Sequence, residues 1–307
     1  MPVSNLYRRQ AALLVRAIPI VASETCFALK GGTAVNLFIR DMPRLSVDLD
    51  LTYVPVAQRA ESRREIDAAM RRIANRMRRG IPGSSISVAA LEGEDCINKL
   101  IMRADGVQVK IEVTPVMRGC VYEPAVRPVS PRVESEFGFA EIQVVSFPDL
   151  YAGKIVAALD RQHPRDLFDV RELLANEGVD DELRKAFIVY LISHNRPMAE
   201  VLAPTRRDIS EEFTRGFDGL SEQPVTPDEL LEVREDLIRI VVGKMPVEHR
   251  RLLLSIKAGE PNWTLLGLPG VELLPAVQWR IENLGKMDEN KRATALARLS
   301  EILELGG

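Results

Sequence analysis

Two short stretches of this 307-residue chain decide its fold: LKGGTA at positions 29–34 and RLSVDLDL at positions 44–51. The first stretch predicts the end of a short strand, a Gly-Gly turn and a helix that begins near Thr33. The second alternates apolar and polar residues, which is typical of a strand with one buried face. Residues two apart on a strand project from the same face, so Asp48 and Asp50 present two carboxylates side by side.

This carboxylate pair predicts a metal site. Two neighbouring carboxylates repel each other, and a divalent cation removes that cost. Mg²⁺ (or Mn²⁺) prefers hard carboxylate oxygens and shares substrate phosphates. Glu112, on the polar face of a strand predicted at 107–114, is the candidate third acid of a site for two metal ions. Gly31 and Gly32 let the backbone approach a triphosphate at the start of a helix, where the dipole favours anions.

Taken singly, these features have simpler interpretations. A DxD pair on a strand can be a solvated polar face, and a Gly-Gly pair can be an ordinary turn. An EF-hand calcium loop is excluded, because Tyr53 stands at the position of its glycine and Arg59 at the position of its last ligand. It is the combination, in this order along the chain, that favours a metal-dependent phosphate site.

Composition excludes several classes of protein. Hydrophobic residues make up 46% of the chain and the formal net charge is −3, which argues for a sizeable core and against a uniformly basic nucleic-acid coat. Cys26, Cys96 and Cys120 form no CxxC pair, so neither a disulfide framework nor a zinc ribbon is expected. No long apolar run and no signal peptide are recognised, so we expect a cytoplasmic protein without a membrane partner.

The pattern of the chain changes near residue 146. Residues 1–145 mix helical and strand patterns and predict an α/β (α+β) domain with a mixed sheet, whereas residues 146–307 predict an all-helical C-terminal domain. Predicted strands lie at 27–29, 46–54, 85–90, 98–103 and 107–114. Predicted helices span 5–21 and 59–79 and begin near Pro148 and Pro164, and predicted loops lie near 196–204, 222–227 and 259–270.

Two later motifs complete a family pattern. With LKGGTA and RLSVDLDL in place, Lys154 and the run RDLFD at 165–169 make the chain resemble the nucleotidyltransferase-like toxins of the AbiEii/AbiGii group, in the DNA polymerase β-type superfamily. The resemblance covers about residues 25–175, and the C-terminal third has no matching motif. It implies a nucleotidyltransferase-like fold and a toxin of a type IV toxin–antitoxin system, with a role in phage defence.

The resemblance also implies an activity and partners. Such toxins use Mg²⁺ and a nucleoside triphosphate (NTP), and for some members the acceptor is the 3′ end of tRNA, which blocks translation. An AbiEi-like antitoxin is the implied protein partner. The alternatives are a nucleotidyltransferase that modifies a protein or a small molecule, and a catalytically silent nucleotide-binding inhibitor.

The same resemblance assigns roles to individual residues, and the helical domain is expected to complete the active site. The implied metal ligands are Asp48 and Asp50, and Glu112 is the candidate third acid on its strand pattern. The implied catalytic set also contains Lys154 and Asp166, with Asp169 as the alternative to Asp166. The candidate nucleotide-binding residues are Lys30, Gly31, Gly32, Thr33, Arg44 and Ser46.

Lys154 lies in an otherwise apolar helical segment, so its ammonium group needs an anionic partner. A triphosphate is one candidate partner. A structural ion pair with Asp166 or Asp169, which share one helix face, is the other.

The predicted helix at 59–79 is strongly basic, with eight arginines mostly opposite an apolar stripe. Arginine side chains bind phosphates bidentately, which favours a local RNA-binding surface. The alternative is a solvated face balanced by acids elsewhere. The candidate RNA-binding residues are Arg63, Arg64, Arg71, Arg72, Arg78 and Arg79.

Overall fold

The computed structural model describes residues 5–90 and 96–304 and divides them into two compact units. The first contains the chain up to Ser146 together with Asp218–Pro224, and the second contains the rest from Phe147 onward. The main division falls between Ser146 and Phe147. Asp218–Pro224, expected in the helical domain, packs instead with the first unit, because its backbone bonds to the chain ahead of the acidic strand: the amide of Leu45 donates to the carbonyl of Leu220.

The first unit is built on a mixed seven-stranded sheet with the order β3-β4-β5-β2-β1-β7-β6. The strands are β1 Phe27–Lys30, β2 Asp48–Tyr53, β3 Ser85–Ala90, β4 Ile97–Ala104, β5 Val107–Arg118, β6 Ala125–Pro128 and β7 Glu141–Val144. β2 is parallel to β5 and antiparallel to β1, so the acidic strand lies in the middle of the sheet. A central strand has a fixed register with both neighbours, and this fixes the direction of its acidic side chains.

The helices of the first unit pack around this sheet. They are α1 Asn5–Ala22, α2 Gly31–Ala34, which continues as a π-helical turn over Val35–Ile39, α3 Arg59–Gly80 and α4 Pro131–Phe137. α1 packs against β5 and β7, and α3 packs against β3 and β4. The predicted apolar stripe of α3 is confirmed, because Ile66, Met70, Ile73 and Met77 are fully buried. Leu49 and Leu51 of β2 are fully buried as well, whereas Asp48 and Asp50 are half-buried on the opposite face.

Several predicted boundaries in the first unit are wrong, for local reasons. The helix after β1 begins at Gly31 rather than near Thr33, so the two glycines form its first turn. β2 begins at Asp48 rather than Ser46, because Thr33 bonds to the carbonyl of Asp48 and to the Ser46 hydroxyl just outside the ladder. β5 runs four residues beyond its predicted end, since a bulge lets Tyr53 pair with Arg118.

The second unit consists of helices, and its described residues contain no strand. The helices are α5 Phe147–Arg161, α6 Pro164–Asn176, α7 Asp181–Ser193, α8 Met198–Leu202, α9 Ser210–Gly216, α10 Pro227–Ile238, α11 Val247–Ala258, α12 Pro275–Gly285 and α13 Glu289–Glu304. α8 lies where a loop was predicted, since five residues are too few to show a helical period although Val201 and Leu202 are buried. None of the described helices meets the length and hydropathy needed to cross a bilayer.

Candidate active site

The acidic face of the sheet is formed where β2 and β5 run side by side. Their parallel register sets Asp48 opposite Lys110 and Asp50 opposite Glu112. Opposed residues of neighbouring strands project from the same face, so acids and lysine alternate over a small area. β4 adds Lys99, which lies opposite Glu112 on the other side of β5.

Two lysines neutralise part of this acidic face. Lys110 Nζ lies 3.2 Å from Glu112 Oε2 and 3.8 Å from Asp48 Oδ2, and Lys99 Nζ lies 3.6 Å from Glu112 Oε1. Burial lowers the pKa of Lys110, but Asp48 and Glu112 outweigh it and raise that pKa overall. Sequence reasoning missed both lysines, although the alternation at 107–114 placed Lys110 on the same strand face as Glu112.

Gly31 brings the backbone against the acidic strand. Its φ is +75°, and a Cβ atom built there would lie 2.6 Å from Asp50 Oδ2. Gly32 is equally crowded, since a Cβ would lie 2.8 Å from Ser46 Oγ and 2.9 Å from Arg44 Nη2. The double glycine and the acidic strand are therefore in contact. A side chain at Gly31 has to adopt the left-handed conformation and displaces the Asp50 carboxylate, and one at Gly32 displaces the ends of the Ser46 and Arg44 side chains.

Thr33 and Ser46 hold this approach in place. The Thr33 side chain is fully buried, and its hydroxyl donates to the Asp48 carbonyl oxygen and lies 3.1 Å from Ser46 Oγ. These bonds connect the first turn of α2 to the start of β2. The Thr33 hydroxyl is thus engaged within the protein, and its contribution is to fix the position of Asp48.

The other candidate nucleotide-binding residues surround the glycines. Arg44 is 2% exposed, and its Nη1 donates to the Leu45 carbonyl at 3.0 Å. It also lines a cavity of about 270 Å³ in the first unit, together with Arg8 and Arg132. Lys30 on β1 lies opposite Asp50 in the strand register. Burial lowers the pKa of Lys30 and outweighs the attraction of Asp50 and Glu112, which raises it.

The donor set fits a divalent cation at Asp48 and Asp50 only in part. These carboxylates are hard oxygen donors. Because Gly31 has no Cβ atom, the space beside Asp50 Oδ2 is open. Glu112 does not join them, because Lys99 and Lys110 hold its carboxylate. Within residues 5–90 and 96–304, no three His, Cys, Asp or Glu side chains are grouped as metal ligands.

Lys154 belongs to a second charged cluster, between α5 and α6 of the helical unit. Its side chain is 8% exposed, and its Nζ lies 3.0 Å from Asp166 Oδ1 and 2.8 Å from Asp169 Oδ2. Arg161 Nε approaches Asp166 Oδ2 at 2.6 Å. Burial raises the pKa of Asp166, but Lys154 and Arg161 outweigh it and hold that pKa well below the ordinary range. In the structure, the anionic partners of Lys154 are therefore the carboxylates of Asp166 and Asp169.

The basic helix α3 is partly neutralised by acids. Arg72 and Arg76 both bind the buried carboxylate of Glu24, at 2.7 and 2.9 Å, and Arg71 pairs with Asp67 at 2.7 Å. Arg78 donates to Asn75 Oδ1 and to the Ile86 carbonyl. Among the six candidate RNA-binding residues, Arg63 is half-buried and the other five are exposed.

Arg118, at the end of β5, is a buried cation that sequence reasoning missed. It is 7% exposed, and its Nε and Nη1 have no hydrogen-bond partner among the described residues. Burial and the nearby Arg59 and Arg63 lower the pKa of Arg118. The predicted strand ended before this position, so no sequence signal marked it.

Comparisons with known proteins identify the family and the fold of the chain. A family model described as the nucleotidyl transferase AbiEii toxin of type IV toxin–antitoxin systems matches residues 12–283. Among solved structures, the chain is similar to MenT4, a nucleotidyltransferase toxin from Mycobacterium tuberculosis H37Rv, with a TM-score of 0.57 and 15% identity over 95% of this chain and 94% of that one. At this identity the likeness shows the fold alone. No curated protein matches the chain.

Proposed function

Since the chain belongs to the AbiEii family of nucleotidyltransferase toxins of type IV toxin–antitoxin systems, we propose that its acidic site transfers a nucleotide from an NTP to the 3′ end of an RNA. tRNA is the proposed acceptor, and its modification blocks translation. The observation that carries the proposal is the contact between the double glycine and the acidic strand: a Cβ at Gly31 would lie 2.6 Å from Asp50 Oδ2. The expected phosphate-binding turn and the expected acids therefore share one small area.

Asp48 and Asp50 are the residues that would hold Mg²⁺ or Mn²⁺ together with the triphosphate. Such a cation, when bound, neutralises phosphate charge and polarises the phosphorus–oxygen bonds. The protein contributes a fixed separation of the two carboxylates, because both project from one face of a central strand. Thr33 maintains that separation through its bond to the Asp48 carbonyl.

The chain around the glycines would bind the phosphates. Gly31 and Gly32 allow the triphosphate to reach the backbone without meeting a side chain. Lys110 supplies a positive charge beside Asp48, and it can exchange that carboxylate for a phosphate oxygen. Glu112 then positions Lys110, and it acts as the third metal ligand only if Lys99 and Lys110 release it.

The proposed reaction is an in-line displacement at the α-phosphate. The 3′-hydroxyl oxygen of the acceptor attacks the α-phosphorus, and a new phosphorus–oxygen bond forms to the RNA. The bond from the α-phosphorus to the oxygen that bridges to the β-phosphate breaks, and pyrophosphate leaves with that oxygen and its electron pair. The proton of the hydroxyl passes to a carboxylate of the acidic face or to water.

Two further parts of the proposal come from the family resemblance. Lys154 and Asp166 contribute to the active enzyme, with their ion pair as the arrangement before substrate binds. Exposed arginines of α3 bind acceptor RNA, and an AbiEi-like antitoxin restrains the toxin. A cytoplasmic location and a role in phage defence complete the proposal.

The test is incubation of the purified chain with each of the four α-labelled NTPs and Mg²⁺, in parallel with a tRNA pool, total protein and a panel of aminoglycosides. The proposal expects label on the tRNA 3′ end and release of pyrophosphate. Label in protein or drug alone identifies the alternative transferase activity. Growth inhibition that persists in the D48A variant identifies a silent nucleotide-binding inhibitor.

A further inference from the structure

A cavity of about 400 Å³ lies between α8, α11 and α13 of the helical unit. Ligand pockets in proteins commonly measure about 300–1,000 Å³. The walls combine apolar side chains with cations, and the side chains that matter here are Met198, Leu299, Lys257, Lys291 and Arg298. All of them belong to the second unit, so the cavity is separate from the acidic face of the sheet.

Lys257, in the last turn of α11, is the unusual member of this lining. It is 5% exposed, and within residues 5–90 and 96–304 its ammonium group forms neither a hydrogen bond nor an ion pair. Burial and repulsion by Arg280 lower the pKa of Lys257. The C-terminal end of a helix favours a cation, but the apolar surroundings of the Lys257 side chain penalise an ammonium group that has no partner among the described residues.

The side chains around Lys257 do not neutralise its positive charge. Lys291 and Arg298 of α13 add two positive charges to the lining, and both side chains are exposed. Glu200 is the acid among the lining residues, and Arg196 Nη2 already binds it at 3.2 Å. The cavity therefore has an excess of positive charge beside apolar walls, and this combination suits a negatively charged group attached to an apolar body.

We propose that this cavity binds a small organic anion, with its acidic group on Lys257 Nζ and its apolar body against Met198 and Leu299. The acidic group is a carboxylate or a phosphate monoester, since either meets the same requirement for an anionic oxygen. Lys291 and Arg298 border the entrance and attract the anion. The site is independent of the proposed nucleotide transfer, and its test does not require an active enzyme.

The test uses the full-length chain and three probes of equal chain length: octanoate, octyl phosphate and neutral octanol. Calorimetric titration and thermal unfolding are recorded for the wild type, for K257M and for K244M. Lys244 is an exposed lysine of the same unit outside the cavity, so K244M controls for the loss of one charge. We expect one anion to bind with one-to-one stoichiometry at least about tenfold more tightly than octanol, and K257M to abolish that preference while K244M retains it.

The two anions distinguish the sources of the acidic group: tighter binding of octanoate identifies a carboxylate ligand, and tighter binding of octyl phosphate identifies a phosphate ester.

Without probe, K257M is expected to unfold at the wild-type temperature or above, because it removes a buried charge. Should K257M fail to fold, A295F fills the cavity while it keeps Lys257, and it is expected to lose binding. Three outcomes overturn the proposal: octanol and the anions bind equally, no probe binds, or the cavity variants bind the anion as the wild type does.

Discussion

At the level of single residues, Gly31 has the most direct connection to the acidic strand. Alanine at this position has to adopt a φ near +75° and meets Asp50 Oδ2 at 2.6 Å. Gly83 has nearly the same φ, +72°, and open space around its Cβ position. We expect G31A and G83A to lose a similar unfolding free energy, about 1–2 kcal/mol, which is the cost of the left-handed conformation. Only G31A is expected to lose nucleotide transfer, because only there does the new methyl group displace a carboxylate.

Urea denaturation and labelled nucleotide transfer separate the two effects, and G83A is the matched control. If G31A and G83A retain the same transfer activity, the contact between Gly31 and Asp50 has no role in the reaction. That outcome would remove the main geometric support for a phosphate site at the double glycine.

Lys110 is the second residue whose replacement is informative, because it is the cation nearest to Asp48 on the acidic face. We expect K110M to lower the rate of transfer about 10- to 100-fold, since it removes a positive charge that faces the triphosphate. K99M serves as the control, because Lys99 pairs with Glu112 at 3.6 Å. Transfer rates at saturating NTP measure the effect, and an equal loss in both variants would deny Lys110 a separate role.

At the level of elements, the ion pairs between α5 and α6 determine how the helical unit responds to mutation. Lys154 compensates two carboxylates that are each 1% exposed, Asp166 and Asp169. K154M leaves both carboxylates without this cation, and we expect it to reduce the unfolding free energy by about 3–5 kcal/mol. Urea denaturation measures the loss, and K185M, which removes the partner of the exposed Asp181, is the control with a change under about 1 kcal/mol.

The same ion pairs predict how stability depends on pH. The folded-state pKa of Asp166 lies below its unfolded-state value, so the carboxylate binds fewer protons in the folded protein. The stabilisation is complete above the ordinary carboxyl range of about pH 4, and it is lost as the pH falls toward the folded-state pKa. Denaturation series between about pH 3 and 6 follow this loss. A stability that stays constant down to pH 3 would contradict the assignment.

Helix α3 contains arginines that bind an acidic residue and arginines that extend into solvent, and we expect different effects when they are replaced. Arg72 and Arg76 bind the buried Glu24 and contribute to stability, whereas Arg64 and Arg79 extend into solvent. We expect the R64A/R79A double variant to weaken RNA binding and to reduce the salt dependence of the binding constant by about one unit of slope per lost phosphate contact. Filter binding at several salt concentrations measures the slope. An unchanged slope would assign these arginines to a solvated face only.

Elements with a clear period could be predicted from the sequence, and short or long-range elements could not. The alternation at β2 and the apolar stripe of α3 are local patterns, and both predictions are confirmed. β6, β7 and α4 were missed, because strands of four residues and a helix of seven contain too few periods to be recognised. β1 is equally short, and it was predicted from the Gly-Gly turn that follows it. The pairing of Lys110 with Asp48 follows from the parallel register of β2 and β5, which no local pattern encodes.

At the level of the whole molecule, the family match and the structural likeness both extend over most of the chain. The sequence resemblance covered about residues 25–175, and the family match extends this to 12–283, which includes most of the helical unit. The C-terminal helices contain no local motif, so only a comparison over the full length could assign them. The fold does not determine the acceptor of the nucleotide, because one fold supports transfer to many substrates. The choice of acceptor depends on surfaces outside the shared fold.

Asp48 and Asp50, beside the double glycine, are the residues that we propose to perform nucleotide transfer to RNA. The most direct measurement follows α-labelled NTP into a tRNA pool under Mg²⁺ with the wild type, D50N and G83A, while circular dichroism verifies the fold of each. We predict that the wild type and G83A label the tRNA 3′ end, and that D50N falls below about one per cent of the wild-type rate with its fold intact. Labelling by D50N at the wild-type rate would contradict the account.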